Sequence, residues 1–379
     1  MSEPTPGRAT PEGTARFAAR FSGLEGHFRA PDRLSLSSLA LGTRNGEPGG
    51  VDDLLYRSAV PLLLEGGVNV FVTALSDRSF HSERCLGAAL ERAFEEELAQ
   101  RDEVVVVSRG GYLTADPDSL DRHPQPRRYL RETYVETGLL DPMDLAQGVH
   151  SLAPAFLRDQ LRRSRENLRL DTLDAYLIEE PELHLEGATA DEFRNKLCAA
   201  FEALEGAVSD GEISAYGICT WDGFLQPHTE RDHLAILDVF DWALEVGGGD
   251  HHLRYLQLPY SVAMSQAFRL DSQIGPEGHT AAVLETLRGT GTVVLASAPL
   301  VQGRVLGRLP DSLTDAFPEA HSDAQRCLQF VRSTPQITSA VVGMREEPHV
   351  RENLALARET PAPAETLERL FKAAARERP

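Results

Sequence analysis

The sequence predicts a single (β/α)8, or TIM, barrel because eight short β-rich runs alternate with longer amphipathic helical patterns. The runs are apolar at nearly every position, which is typical of parallel strands covered by helices. None of them leads into the glycine fingerprint of a dinucleotide-binding turn, so an open doubly wound sheet is disfavoured. One large domain over residues 34–379 is therefore expected.

The predicted elements follow in chain order. Residues 1–33 are rich in Pro, Gly, Thr, Arg and Glu and are expected to form a flexible N-terminal segment, with folding of this segment against the main body left open. The strands are then expected at "LSSLALGT", "VNVFVT", "EVVVVSR", "TLDAYLIE", "EISAYGI", "RYLQLP", "GTVVLASA" and "TSAVVGM". Helical patterns separate them, several closed by Gly as a left-handed helix end requires, and "PAETLERLFKAAARER" predicts a C-terminal helix.

One connection is much longer than the rest. Residues 110–152, between the third and fourth strands, contain "YLTADPDSLDRHPQPRRYL" and indicate an insertion. In a barrel such a loop stands over the active-site mouth, so a substrate lid and a plain surface excursion are both open interpretations.

Composition excludes several classes of function. The chain has 38 basic and 58 acidic residues, and its net charge of -20 repels nucleic acid and anionic membranes. It has no run of eighteen apolar residues and no secretion signal, so a soluble cytoplasmic protein is expected. The four cysteines lack metal or redox spacing and are expected to be free thiols, with no metal site. The oligomeric state stays open.

Several ordered motifs carry a resemblance to a known family. They include "GGVNVFVTA" followed by "SERCLG", then "DTLDAYLIEEPE", "GEISAYGICTWDGF", "LQLPYS" and "STPQITSAVVGMREEPHVRENLALA". With this order and spacing, the chain resembles the aldo/keto reductases over residues 34–357. The resemblance implies a barrel of that type with an NADP(H) site and a small-molecule substrate.

The resemblance also implies that the family's chemistry is altered. Members reduce a carbonyl with hydride from nicotinamide and a proton from a tyrosine, supported by aspartate, lysine and histidine. These four positions fall here on Asp77 for the tyrosine, Val72 for the aspartate, Arg109 for the lysine and Glu179 for the histidine. Arg109 cannot relay a proton at neutral pH. Asp77 needs a pKa raised by roughly three units to act as an acid, and a neighbouring arginine is expected to lower it.

Three functions are compatible with this altered site. An ionised Asp77 or Glu179 beside Arg109 would suit proton abstraction next to a carboxylate or carbonyl, which is non-reductive acid-base chemistry on a small metabolite. A plain Arg109–Glu179 ion pair would suit a non-catalytic pseudoenzyme that senses or scaffolds. An atypical NADP-dependent oxidoreductase would recruit other groups. We interpret His81 as a helix-start residue and His184 as a solvated loop residue.

The cofactor positions are better preserved. By resemblance, the adenosine end is held by "GMREEPHVREN", the nicotinamide amide by a glutamine on the sixth strand, and the pyrophosphate by the loop after the seventh. The residues carried over are Gln257, Leu300, Gln302, Gly303, Gly343, Arg345, Glu352 and Asn353. Arg345 would suit a 2′-phosphate through charge-assisted hydrogen bonds. Cys219, Thr220 and Ser297 depart from the family's usual residues at the nicotinamide end.

Overall fold

The computed structural model describes residues 3–119, 125–275 and 278–376. Residues 120–124 of the predicted insertion and the last two residues of the predicted C-terminal helix lie outside this range. Eight parallel strands form a closed barrel, because each pairs with the next and the eighth pairs with the first. Strands β1 to β8 are Leu39–Gly42, Val70–Val72, Val105–Gly110, Ala175–Glu179, Tyr216–Cys219, Leu253–Pro259, Val293–Ser297 and Ser339–Val342. The predicted barrel and all eight predicted strands are confirmed.

Helices follow the strands around the outside of the barrel. Helices α1 to α8 are Gly50–Glu65, His81–Glu95, Pro154–Leu168, Ala190–Ser209, Ile236–Gly247, Val283–Thr286, Asp323–Ser333 and Glu347–Leu356. Four further α-helices are Pro11–Arg20, Pro126–Leu130, Gln266–Arg269 and Asp311–Ala316, and the predicted C-terminal helix is Ala364–Arg376. The 3-10 helices are Arg101–Glu103, Pro117–Ser119, Pro142–Asp144, Pro181–His184, Gly248–Asp250 and Val301–Gly303, and Arg131–Val135 is a π-helix. Two strand pairs lie outside the barrel, Phe28–Arg29 with Leu36–Ser37 and Gln273–Ile274 with Thr280–Ala281.

The side chains of the apolar strands pack in two layers, one inside the barrel and one under the helices. Successive side chains of a strand point to opposite faces, so Val70 and Val72 fill the barrel interior while Phe71 packs under the helices. Both faces are therefore buried, which explains why the strands read as continuous apolar runs. Gly217 is required where β5 meets β6, because a Cβ there would lie 2.0 Å from the carbonyl oxygen of Tyr255.

The described residues of the N-terminal segment fold against the main body, which is the alternative left open to a flexible chain. Over its described residues the segment carries the helix Pro11–Arg20, with Thr10 as a side-chain N-cap and Phe17 fully buried. The strand pair after this helix brings Leu36 into the barrel interior. A few apolar side chains among many polar ones are enough to fix the segment, because Phe17 joins the core that the strands and helices of the barrel form. Within the described ranges, no helix is both long and apolar enough to cross a membrane.

Candidate functional site

A cleft of about 720 Å³ opens at the carboxyl ends of the barrel strands. This size suits a cofactor or a small ligand. The eleven residues predicted for the site all line it: Asp77, Arg109, Glu179, Gln257, Leu300, Gln302, Gly303, Gly343, Arg345, Glu352 and Asn353. The fold places them together because parallel strands of a barrel all end on one face. Their roles in binding or catalysis stay predictions.

Arg109 lies at the centre of one end of the cleft. Its Nη2 atom donates to both carboxylate oxygens of Asp77 at 3.2 Å, and its Nη1 atom lies 3.4 Å from Oε1 of Glu179. All three side chains are almost completely buried. The expected Arg109–Glu179 ion pair between neighbouring strands is therefore present, and Asp77 extends it to a cluster of three charges. We call these three residues the charge cluster.

The pKa of Asp77 differs from expectation. Burial raises this pKa from 3.8 to about 6, although the positive charge of Arg109 lowers it, and the negative charge of Glu179 raises it further. Arg109 lowers the pKa of Asp77 as expected, but the net pKa is raised because burial, which that expectation left out, outweighs the arginine. The neighbouring carboxylates keep Arg109 protonated by raising its pKa against the opposing effect of burial.

Three residues that the sequence analysis did not assign to catalysis also contact the charge cluster. Arg44, which follows β1, places Nη1 3.5 Å from Oε1 of Glu179 and is 67% exposed. Ser76 donates to Oε2 of Glu179 at 3.2 Å. Cys219 places its Sγ atom 3.6 Å from Nη1 of Arg109, and burial raises the pKa of this thiol to about 12. Arg44 could have been predicted as a site residue from the sequence, because it stands two residues after the first strand and the strand ends on this face meet at the cleft.

A pair of buried histidines lies behind Glu179. His150 places Nε2 2.5 Å from the backbone oxygen of Glu179, and its Nδ1 lies 3.1 Å from Nε2 of His184. Burial lowers the pKa of His150 to about 4 and that of His184 to about 3. His184 is therefore a buried neutral residue, and its interpretation as a solvated loop residue was wrong. His81 begins α2 as predicted and pairs with Asp53 at 3.0 Å.

The opposite end of the cleft contains polar atoms without partners. Oε1 of Gln257 and Oδ1 of Asn353 are buried and have no hydrogen-bond partner among the described residues. Buried polar atoms normally have a hydrogen-bond partner, so these two oxygen atoms are available to accept hydrogen bonds from a ligand. Glu352 accepts a hydrogen bond from the Ser322 hydroxyl, which fixes its carboxylate. The Nε atom of Arg345 lies 2.8 Å from Oδ1 of Asp52, a residue of α1.

The loop after β7 has an unusual backbone. Ala298, Val301 and Gln302 have φ values of 53°, 48° and 54°, and Gly303 has 80°. Left-handed conformations cost energy for residues with a Cβ and occur most often at ligand-binding sites. Helix α8 begins at Glu347 with no side chain capping its first turn, so its N–H groups are available to an anion.

The described residues of the insertion pack beside the cleft. Tyr129, Tyr134 and Leu140 of the insertion form a small apolar cluster with Phe156 of α3. None of the described residues of the insertion lines the cleft, although Gln147 lines a second cavity beside it. The described part of the insertion therefore does not form a lid directly over the cleft. Within the described ranges there is also no cluster of three or more side chains suited to a metal ion.

Comparisons with known proteins agree with this arrangement. Residues 38–225 match the model of the Aldo/keto reductase family. A Klebsiella pneumoniae aldo/keto reductase, solved with NADP and acetate, is 19% identical with a TM-score of 0.60, covering 92% of this chain and 95% of its own. A glycerol dehydrogenase from Gluconobacter oxydans is 17% identical with a TM-score of 0.64, covering 93% and 97%. No curated protein matches the sequence significantly.

The fold and the cleft define a (β/α)8 barrel whose candidate site lies at the carboxyl ends of its strands. Over residues 38–225 the chain is similar to the aldo/keto reductase family, and its barrel has the fold of solved members of that family. The structural neighbours are less than 20% identical, so they support the fold alone.

Proposed function

We propose that this protein is an NADP(H)-binding barrel whose charge cluster performs non-reductive acid-base chemistry on a small metabolite. The observation that carries the proposal is the geometry of Asp77, a buried carboxylate held 3.2 Å from Arg109 at the floor of the cleft, with its pKa raised to about 6. A base with a pKa slightly below neutral is ionised in the cell and still strong enough to accept a proton.

The nucleotide end of the cleft fits the cofactor. Oε1 of Gln257 could accept a hydrogen bond from the carboxamide of a nicotinamide, and Oδ1 of Asn353 could accept one from an amino group of an adenine. The loop of residues 298–303 and the open N-terminus of α8 offer N–H groups for phosphates. When bound, NADP(H) would supply hydride chemistry. Two similar barrels from Klebsiella pneumoniae were solved with NADP or NADPH, which supports the same class of cofactor here.

The acid-base end suits proton abstraction better than carbonyl reduction. No tyrosine and no lysine is among the described residues that line the cleft, so the family's usual proton donor and its partner have no obvious substitute. Arg109 holds Asp77 in place, while the exposed Arg44 is free to contact an anionic group of the substrate. Proton abstraction next to a carboxylate or carbonyl needs this combination of a base and a cation.

Cofactor binding is the first test. Titrating NADPH into the protein should change the fluorescence of the nicotinamide. The protein should then fail to oxidise NADPH with a panel of small aldehydes and ketones. No fluorescence change at millimolar cofactor would contradict the nucleotide part of the proposal. Steady NADPH oxidation that Asp77→Asn abolishes would instead support an atypical oxidoreductase in which Asp77, with its raised pKa, donates the proton.

Proton abstraction is the second test. Small oxo acids are incubated with the protein in deuterated buffer, and deuterium next to the carbonyl is followed by NMR. We expect exchange above the uncatalysed rate, reduced at least about a hundredfold by Asp77→Asn. The matched control is Asp250→Asn, an exposed aspartate that does not line the cleft. NADPH binding without exchange into any oxo acid would favour a pseudoenzyme in which the charge cluster only fills the site.

We also propose that the protein acts on a small-molecule substrate in the cytoplasm and has neither nucleic acid nor a membrane as a partner. The charge of -20 supports this, because polyanions are repelled at long range.

A further inference from the structure

A second cavity of about 520 Å³ adjoins the cleft. The two cavities share Glu180 and Trp221 in their linings, so they are neighbours on the same face of the barrel. The second cavity is strongly acidic, with carboxylates from the two connections that follow β4 and β5. These are Glu180, Glu182, Glu186, Asp222, Glu230 and Asp232, against Arg231 as a single cation in the lining.

These carboxylates are not neutralised within the protein. In the part of the chain that the structure describes, none of the six has an ion pair within 4.0 Å. Glu180 accepts a hydrogen bond from the Tyr112 hydroxyl, and Glu186 accepts one from Gln147 at 3.0 Å. Neutral donors of this kind leave the negative charges uncompensated, so the cavity attracts a cation.

Glu182 gives an independent indication of a ligand. It is only 7% exposed, and its Oε1 atom accepts the backbone N–H of Trp221 at 3.0 Å and that of Gly223 at 3.3 Å. Its Oε2 atom is buried and has no partner among the described residues. A buried carboxylate oxygen without a donor is costly, because it has lost its water and gained nothing in exchange. A ligand that carries N–H groups would remove this cost.

We propose that the second cavity is a subsite for a cationic group, an ammonium or a guanidinium, of the molecule whose reactive part occupies the main cleft. The inference that both groups belong to one molecule rests on the proposed function. The substrate class is then a small oxo or carboxylic compound with a basic nitrogen several bonds from its reactive carbon. Trp221, 44% exposed at the boundary of the two cavities, offers an aromatic face to the cation.

Agmatine, which carries both an ammonium and a guanidinium, is a direct probe of this subsite. The chain has two tryptophans, so Trp242→Phe leaves Trp221 as the only indole reporter. We expect agmatine to change the fluorescence of Trp221 saturably, with an affinity that falls as salt is added. The neutral analogue butylurea should cause no change. An equal response to both compounds, or none to agmatine at millimolar concentration, would overturn the inference.

Charge-neutralising variants then locate the bound cation. Glu230→Gln and Asp232→Asn remove exposed carboxylates and should each weaken agmatine binding about threefold. Glu182→Gln should weaken it at least about tenfold, provided circular dichroism shows an unchanged fold. The matched control is Glu95→Gln on α2, which lines neither cavity and should leave the affinity unchanged. Unaltered binding in Glu182→Gln, Glu230→Gln and Asp232→Asn would place the cation elsewhere and refute the subsite.

The two proposals can fail separately. Deuterium exchange into oxo acids that carry no cation tests the charge cluster alone, because such compounds have no group for the second cavity. Agmatine binding without exchange would support the subsite and contradict the acid-base function, and exchange without agmatine binding would do the reverse.

Discussion

The two ends of the main cleft differ in how far the protein satisfies its own polar groups. At the end formed by β2 to β4, Arg109 contacts both Asp77 and Glu179, and Arg44 contacts Glu179 as well, so two guanidinium groups face two carboxylates. At the end formed by β6 to β8, Gln257 and Asn353 keep buried oxygen atoms without partners. At the first end the charged groups pair with one another, although Nε of Arg109 has no hydrogen-bond partner, whereas the two oxygen atoms at the second end have no donor among the described residues.

This difference separates binding from chemistry. Unpaired buried atoms and left-handed loop residues persist when a ligand compensates for their cost. A cluster of buried, paired charges instead shifts the pKa of its members, as burial raises the pKa of Asp77. We therefore expect substitutions at the two ends to affect different measurements, and the following predictions test that expectation.

The largest effect is expected for Arg109→Met. Removing the guanidinium leaves the buried Asp77 without its ion-pair partner and Glu179 with only the exposed Arg44, which should lower the free energy of unfolding by about 3–5 kcal/mol. Urea denaturation measures the change. The triple variant Arg109→Met, Asp77→Asn, Glu179→Gln should recover much of the loss, because it carries no unpaired charge. A loss below about 1 kcal/mol in the single variant would mean that the cluster is not desolvated.

The pH dependence of deuterium exchange should follow Asp77. Burial raises the pKa of this carboxyl to about 6, and a base acts only in its ionised form. Exchange should therefore fall about tenfold for each pH unit below 6 and level off above it. A profile that stays flat down to the ordinary aspartate pKa of 3.8 would exclude Asp77 as the base.

Gln257→Leu should separate cofactor binding from stability. Because Oε1 of Gln257 has no partner in the protein, its loss should leave the free energy of unfolding within about 1 kcal/mol. NADPH affinity should fall about tenfold, because one buried hydrogen bond to the cofactor is lost. Fluorescence titration and urea denaturation report the two quantities. A large loss of stability with unchanged affinity would show that the glutamine is structural.

The smallest effect is expected for Arg44→Ala. This side chain is 67% exposed, so its ion pair with Glu179 should contribute less than about 1 kcal/mol to stability. The concentration of oxo acid needed for half-maximal exchange should nevertheless rise, because we assign Arg44 to the anionic group of the substrate. An unchanged concentration dependence would remove Arg44 from the site.

The sequence predicted the barrel because burial on both strand faces leaves a direct trace in apolar runs and helical periods. The sequence also predicted that the candidate residues share one site, because the carboxyl ends of the barrel strands converge on one face. It failed where tertiary burial decides the outcome. The raised pKa of Asp77 and the burial of His184 depend on what surrounds each side chain, and the order of the N-terminal segment depends on a core supplied by the barrel. No local pattern contains that information.

The central claim is that Asp77 is a buried base poised near neutral pH, and its own titration tests this most directly. Isotope-labelled aspartate followed by NMR over pH, with Asp77→Asn to assign the signal, measures the pKa without a known substrate. We predict a value of about 6 for this carboxyl. A pKa at or below the ordinary 3.8 would show that Arg109 outweighs burial, and the acid-base function would lose its base.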